Sequence, residues 1–213
     1  MMIFHPFEVP LAYSMIELAE CANHSFQRYF CYWAAFNNIY TLVAHRNGIT
    51  VQLNFDHNGQ RRIERKWTYI FPSVITPKEH EQIIEAVNVL DIRVKDALIS
   101  HPNTRFFVER TPQGVASNRD ALGQLINGVL NVTRTVNSLS PVWSPIDIQA
   151  YEKHMAGDHS DIDLLTEQII FMLYTIRNNL VHGSKNPGEE NDLTVVQKAL
   201  PLLELVVKAF IRS

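Results

Sequence analysis

The sequence predicts an all-α fold, a helical bundle with one small β-hairpin inserted between helices. Three segments repeat apolar residues at steps of three and four, which is the spacing of helices that bury one face. Capping residues and prolines at first helical positions mark where helices begin. With 213 residues, 46% hydrophobic and 19% charged, the chain is predicted to fold as a single domain over residues 1–213.

The first predicted helix runs from about residue 11 to residue 45 and carries a stripe of bulky side chains. The stripe consists of Phe26, Tyr29, Trp33, Phe36, Tyr40 and Val43. Since it is wide and aromatic, it requires a second helix or a partner subunit to cover it. Asn47 and Gly48 are the predicted stop signals.

Residues 49–71 predict the small hairpin. Apolar and polar residues alternate from Ile49 to Phe55, and Asn58-Gly59 favours a tight turn before a second strand over 61–71. A helix over the same stretch stays open as the alternative.

Two further helices are predicted in the middle of the chain. The first covers 77–99, with Thr76 as its N-cap. A loop over 102–112 follows, and then a helix over about 117–136. Prolines and a glycine predict an irregular connection over 141–157.

Two helices complete the chain. The first starts at Asp161, whose negative charge suits the positive end of the helix dipole. Its predicted core face comprises Leu165, Ile169, Met172, Leu173, Ile176 and Leu180. His182 is predicted in its last turn, with Gly183 as the C′ residue. The final helix covers 192–211, and Pro201 should kink it.

Composition and charge exclude several functional classes. The net charge of −3 argues against bulk electrostatic binding to nucleic acid, so an RNA site must be a local basic patch. No apolar stretch reaches about 18 residues, and residues 1–10 lack a signal-peptide layout, so no membrane span is expected. Cys21 and Cys31 would lie roughly 15 Å apart along one helix, too far to bridge. Free thiols favour a cytoplasmic protein.

A polar arc lies near the end of the helix that starts at Asp161. It consists of Tyr174, Arg177, Asn178 and His182. At about 100° per residue, Arg177 and His182 lie roughly 140° apart around the helix axis and about 7.5 Å apart along it. Since the two groups do not point at each other, a second copy across a two-fold axis would complete a site more easily.

These residue types suit the transesterification of RNA. Histidine titrates near neutrality, so it can take a proton from a ribose 2′-hydroxyl or deliver one to the leaving oxygen. Arginine stays charged and offers a planar set of donors to the phosphoryl oxygens. The alternative is structural, with Arg177 as a solvated edge residue and His182 as a cation at the negative helix end.

Two segments of the chain resemble the HEPN superfamily, especially its Apea-like branch. Residues 173–183, Leu-Tyr-Thr-Ile-Arg-Asn-Asn-Leu-Val-His-Gly, resemble its Arg-polar-x3-His signature at Arg177 and His182. Residues 32–40 are similar to the aromatic Trp-x-Ala-Phe-Asn segment of that branch. Residues 46–160 match neither segment and are a candidate insertion.

The resemblance implies a helical bundle that forms a homodimer, with both copies of the motif facing one cleft. Many HEPN proteins are metal-independent endoribonucleases of defence, abortive-infection or toxin–antitoxin systems, so RNA and a co-encoded antitoxin are the implied partners. By this resemblance Arg177 would stabilise the phosphoryl transition state, His182 would act as acid or base, and Asn178 would assist. The products would be a 2′,3′-cyclic phosphate and a 5′-hydroxyl. A non-catalytic HEPN-like module that binds a protein or nucleotide is the alternative.

Other residues are candidates for contacting the RNA substrate. Tyr174, Asn179 and Lys185 belong to the motif or flank it. Arg61 and Arg62 open a basic run that is followed by aromatic residues, a combination that can hold single-stranded RNA by phosphate contacts and stacking. A solvated charged face is the alternative for this run.

One further cluster could hold a metal. It consists of His154 and His159 with Asp158, Asp161 and Asp163. Because His-x4-His with nearby aspartates is not a recognised tetrahedral site, helix capping explains the cluster better. The sequence therefore predicts no metal and no cofactor.

Overall fold

A computed structural model describes residues 3–5, 8–47, 51–52, 74–75, 79–109, 146–181 and 189–211. Over these residues the backbone forms eight α-helices and one two-stranded sheet, which confirms the predicted all-α fold. No helix within this part of the chain is both long and apolar enough to cross a membrane.

The helices differ widely in length, and three long ones are packed together with five shorter ones. In chain order they are α1 Pro10–Cys21, α2 Ser25–Arg46, α3 Glu79–Asn88, α4 Ile92–Ile99, α5 Pro102–Val108, α6 Ile148–Met155, α7 Ile162–Val181 and α8 Glu190–Phe210. The strands are β1 Val51–Gln52 and β2 Val74–Ile75.

Helix α2 is the centre of the bundle. All six residues of its predicted aromatic stripe are buried, and none is more than 6% exposed. Helices α1, α3 and α8 pack against α2, so the stripe is covered by helices of the same chain. The stripe therefore needs no partner subunit to bury it.

The single helix predicted over residues 11–45 is wrong, because the chain breaks after Cys21 and restarts at Ser25. His24 ends the break as the N-cap of α2, where its Nδ1 accepts a hydrogen bond from Phe26 N at 3.3 Å. The aromatic stripe begins at Phe26, after this break, so its periodicity supports a helix only from that point onward. Cys21 and Cys31 consequently lie on different helices, both as free thiols.

The single helix predicted over 77–99 is also wrong, because α3 and α4 are separate. Asp91 is the N-cap of α4, and its Oδ1 accepts a hydrogen bond from Arg93 N at 2.9 Å. An aspartate that bonds the backbone in this way competes with continuation of a helix. The predicted N-cap, Thr76, lies outside the described residues, as does the predicted helix over 117–136.

Two short helices replace predicted irregular segments. Helix α5 occupies most of the predicted loop over 102–112, with Pro102 in its first turn and His101 as its N-cap. Helix α6 lies within the predicted connection over 141–157, where Asp147 Oδ1 accepts from Ala150 N at 3.1 Å. Helices of seven or eight residues offer too few turns for apolar periodicity to identify them.

The predicted hairpin over 49–71 is partly wrong. Strand β1 lies within it, but Val51 pairs with Ile75 in an antiparallel register, beyond the predicted second strand. A tight turn at Asn58-Gly59 would instead pair Val51 with Lys66. The turn and the strand predicted over 61–71 lie outside the described residues.

The two C-terminal helices agree with prediction. All six residues of the predicted core face of α7 are buried, from Leu165 to Leu180. Pro201 lies inside α8, as predicted. Gly183, the predicted stop signal after α7, lies outside the described residues, and the kink at Pro201 stays a prediction.

The two ends of the described chain meet on the bundle. Phe4 forms a parallel β-bridge with Ile211, and Phe4 N donates to Phe210 O at 2.8 Å. Phe4 and Phe210 are both fully buried. The segment before α1 is thereby fixed to the end of α8.

Tyr29→Phe is expected to lower the free energy of unfolding by about 0.5–1.5 kcal/mol. The buried hydroxyl of Tyr29 donates to Leu173 O at 2.7 Å and joins α2 to α7, whereas phenylalanine keeps only the packing of the ring. The shift in the midpoint of urea unfolding measures the effect. Tyr13→Phe, on the exposed side of α1, is the control, and equal shifts in both variants would contradict the expectation.

Candidate functional site

The polar arc at the end of α7 is positioned by the apolar face of that helix. Leu173, Ile176 and Leu180 are buried in the core together with Thr175, and the residues of the helix that lie off this face reach the surface. Four residues of this face are half-buried: Tyr174, Arg177, Asn178 and Asn179.

The structure brings three of the predicted site residues together. Arg177 Nη1 donates to Asn178 Oδ1 at 2.7 Å. The guanidinium carbon of Arg177 lies 5.9 Å from the centroid of the Tyr174 ring. The bond to Asn178 holds the guanidinium in place, and 24% of the Arg177 side chain remains exposed to solvent.

Asn179 is also described and lies half-buried beside Asn178 on α7, whereas the remaining predicted site residues lie outside the described residues. They are His182 and Lys185 after α7, and Arg61 and Arg62 in the basic run. Their assignment to catalysis or RNA binding stays a prediction.

Glu79 is the residue of this site that sequence reasoning missed. Its carboxylate accepts a hydrogen bond from Tyr40 OH at 2.6 Å through Oε1 and from Tyr174 OH at 3.1 Å through Oε2. Arg177 Nη2 lies 3.9 Å from the same Oε1. Glu79 thus connects α2, α3 and α7 at one point, and no sequence spacing indicates this meeting.

Burial keeps both tyrosine hydroxyls in their neutral, donating form. It raises the pKa of Tyr40, and the negative charge of Glu79 raises it further. Burial also raises the pKa of Tyr174, while a hydrogen bond with Asn178 acts in the opposite direction. Both hydroxyls therefore remain donors to the Glu79 carboxylate at neutral pH.

The aromatic segment of α2 lies directly behind the arc. The ring centroids of Trp33 and Tyr174 are 5.9 Å apart, with the ring planes inclined at 54°. Trp33 belongs to the first of the two segments that resemble the HEPN superfamily, and Tyr174 belongs to the second. The fold therefore places side chains of the two segments in contact across the bundle.

Among the described residues of the arc, Arg177 is the positively charged group that could bind an anion. Arg177 offers guanidinium N–H groups at a partly exposed position, which suits a phosphoryl oxygen. Glu79 places a carboxylate beside it, and this charge offsets part of the attraction for a phosphate.

The second histidine cluster is arranged differently from the prediction. His154 and His159 lie beside Asp96 of α4 rather than beside the aspartates that follow them. Asp158 instead accepts a backbone hydrogen bond from Ser160 N at 3.0 Å, within the turn that precedes α7. Asp163 pairs with Lys95, whose Nζ lies 2.6 Å from Asp163 Oδ1.

A cleft of about 520 Å³ lies between α5 and α6, away from the arc. Its lining consists of Arg105, Val108, Glu109, Ile148, Tyr151, Glu152, Met155 and Ala156. Arg105 and Glu109 bind each other across its edge, with Nε and Oε1 2.8 Å apart. The cleft therefore shares no residue with the polar arc.

No family model, curated protein or solved structure matches the chain.

The free energy of unfolding is expected to fall as the pH rises above about 10, partly because of Tyr40. In the unfolded chain Tyr40 loses its proton near this ordinary value, whereas burial and Glu79 raise its pKa in the folded protein. The stability that Tyr40 contributes is thus fully present below about pH 10 and is lost as the pH rises above it, because the unfolded state then binds fewer protons than the folded state. In urea unfolding at several alkaline pH values, Tyr40→Phe should reduce the decline by up to about 1.4 kcal/mol per pH unit. An unchanged slope would contradict this account.

Proposed function

We propose that the protein is a metal-independent endoribonuclease of HEPN type. The observation that carries the proposal is the fixed but accessible Arg177 in the last turns of α7, bonded to Asn178 and five residues before His182. A guanidinium in this state loses little freedom when it binds a phosphoryl oxygen. The contact between Trp33 and Tyr174 supports the resemblance, because it joins the two similar segments.

The proposed reaction uses the ribose 2′-hydroxyl as the internal nucleophile. His182 takes the proton of this hydroxyl or protonates the leaving 5′-oxygen, and Arg177 stabilises the charge that develops on the phosphoryl oxygens. Asn178 holds the guanidinium through its amide oxygen. The products are a 2′,3′-cyclic phosphate and a 5′-hydroxyl.

A homodimer is part of the proposal. Arg177 and His182 would diverge around a single continuous helix, so two copies of the arc facing one cleft would supply the complementary groups. A cytoplasmic setting in defence or toxin–antitoxin biology, with an antitoxin or other co-encoded partner, follows from the same resemblance.

The contacts of Arg177 contribute little to the free energy of unfolding. Its distance of 3.9 Å from Glu79, with both side chains partly exposed, is that of a surface ion pair worth about 0.2–1 kcal/mol. Its shorter bond, to Asn178, joins neighbours in sequence and holds no two elements together. Arg177 is therefore available for a role other than stability.

The nuclease proposal is tested with purified, tag-free protein and single-stranded RNA in excess EDTA. Arg177→Ala and His182→Ala should each slow cleavage by about 10²–10⁴-fold, because each removes a group that acts in the transition state. Gel electrophoresis of end-labelled RNA measures the rates and identifies the cyclic phosphate ends.

Matched controls remove an arginine or a histidine elsewhere. Arg93 is exposed on α4 and His45 is exposed at the end of α2, so Arg93→Ala and His45→Ala should cleave at the parental rate. Equal cleavage by the parent and both arc variants, or no cleavage by the parent, would reject the nuclease.

A second candidate is a non-catalytic HEPN-like module that binds a protein partner or a nucleotide. The carboxylate of Glu79 favours it, because a negative charge beside Arg177 weakens the attraction for RNA. In this case the arc serves mainly to tie α2, α3 and α7 together through Tyr40, Glu79 and Tyr174.

Glu79→Gln separates the two candidates. In the nuclease, removal of the negative charge beside Arg177 should tighten RNA binding by about fivefold at low salt, which corresponds to about 1 kcal/mol. In the non-catalytic module, the same variant should only lower the midpoint of urea unfolding. Fluorescence anisotropy of labelled RNA measures the affinity, and Glu81→Gln, exposed on the same helix, is the control. An unchanged affinity would count against the nuclease.

A further inference from the structure

Three side chains with metal-binding atoms converge at the other end of α7. His154 lies in the last turn of α6, His159 lies in the turn before α7, and Asp96 lies on α4. One ligand atom from each residue lies within 4.8 Å of the other two. Asp96 is 58 positions from His154 in the sequence, so spacing could not have indicated it.

The distances within this cluster are short. His154 Nε2 lies 3.0 Å from Asp96 Oδ1, and the Nδ1 atoms of His154 and His159 lie 3.1 Å apart. His159 Nδ1 lies 3.8 Å from Asp96 Oδ1. The two imidazole rings are nearly perpendicular, at 80°.

The backbone fixes the second histidine over the first. Gly157 has a φ of 97°, a left-handed conformation that suits glycine, and its N–H donates to His154 O at 2.9 Å. Asp158 N then donates to Lys153 O at 3.0 Å, which closes the turn. His159 is therefore held against His154 by a defined turn.

We propose that Asp96, His154 and His159 bind one divalent transition-metal ion of the zinc class. Bonds of about 2.0–2.2 Å in a tetrahedral four-coordinate site place neighbouring ligand atoms roughly 3.3–3.6 Å apart. The separations of 3.1 Å and 3.8 Å at His159 bracket that value. The ligand atoms would be His159 Nδ1, Asp96 Oδ1 and one ring nitrogen of His154.

The donor set selects the class of metal. Two imidazoles and one carboxylate suit zinc, cobalt or nickel, whereas calcium and magnesium prefer oxygen ligands alone. Three protein ligands leave a fourth position for water, as in catalytic zinc sites. His154 is 3% exposed, while the side chains of Asp96 and His159 are about half exposed, so an ion has a path into the site.

Two lysines adjoin the ligands in sequence. Lys153, next to His154, is exposed on α6, whereas the ammonium of Lys95, next to Asp96, is 6% exposed and paired with Asp163 at 2.6 Å. The charge of Lys95 is thereby compensated by a carboxylate outside the cluster. Asp96 then supplies a negative charge to the metal.

The test measures metal binding directly and does not depend on RNA cleavage. Tag-free protein is stripped with a chelating resin and titrated with Zn²⁺ by calorimetry and with Co²⁺ by visible absorption. One ion should bind per chain, and the cobalt spectrum should be that of a low-coordinate site. His159→Ala and Asp96→Asn, which change half-exposed residues, should each weaken binding by about tenfold or more.

His45→Ala is the matched control, because it also removes one exposed imidazole, but one that lies outside the cluster. It should bind Zn²⁺ with the parental affinity. Parental affinity in His159→Ala or in Asp96→Asn, or the absence of stoichiometric binding by the parent, would overturn the proposal. Since the experiment measures metal binding and not RNA cleavage, neither result decides the nuclease proposal, which is tested separately.

Discussion

The aromatic face of α2 must be buried, and much of the remaining arrangement depends on this constraint. Each large apolar side chain removed from water contributes about 1.5–3 kcal/mol, and the stripe contains six such residues. Helices α1, α3 and α8 supply the covering surface, while Tyr29 fixes α7 through a buried hydrogen bond to its backbone. The position of α3 on α2 is also what brings Glu79 next to Tyr40.

Helix α7 separates two groups of chemically active side chains. The polar arc lies near its C-terminal end, and the cluster of Asp96, His154 and His159 lies beside its beginning. From Ile162 to Arg177 the helix advances by 15 residue steps, or roughly 22 Å along its axis. Two groups at this separation are not parts of one reaction centre, so the two proposals are independent of each other.

The long helices were predictable because their apolar faces repeat over many turns, as in α7 and α8. The breaks before Ser25 and Ile92 were not, because single capping side chains such as His24 and Asp91 decide them. In the candidate site, Arg177, Asn178 and Tyr174 are neighbours on one helix, so helical geometry places them together. Glu79 and Asp96 arrive from other helices by packing, which spacing along the chain does not encode.

The bridge between Phe4 and Ile211 brings the first and last described segments of the chain into contact. The segment before α1 is held by the hydrogen bond from Phe4 N to Phe210 O, and both phenylalanines are buried. Displacement of Phe4 from the core would therefore break this hydrogen bond and expose a buried ring. The distance between residues 4 and 211 consequently reports whether the segment before α1 is docked against the end of α8.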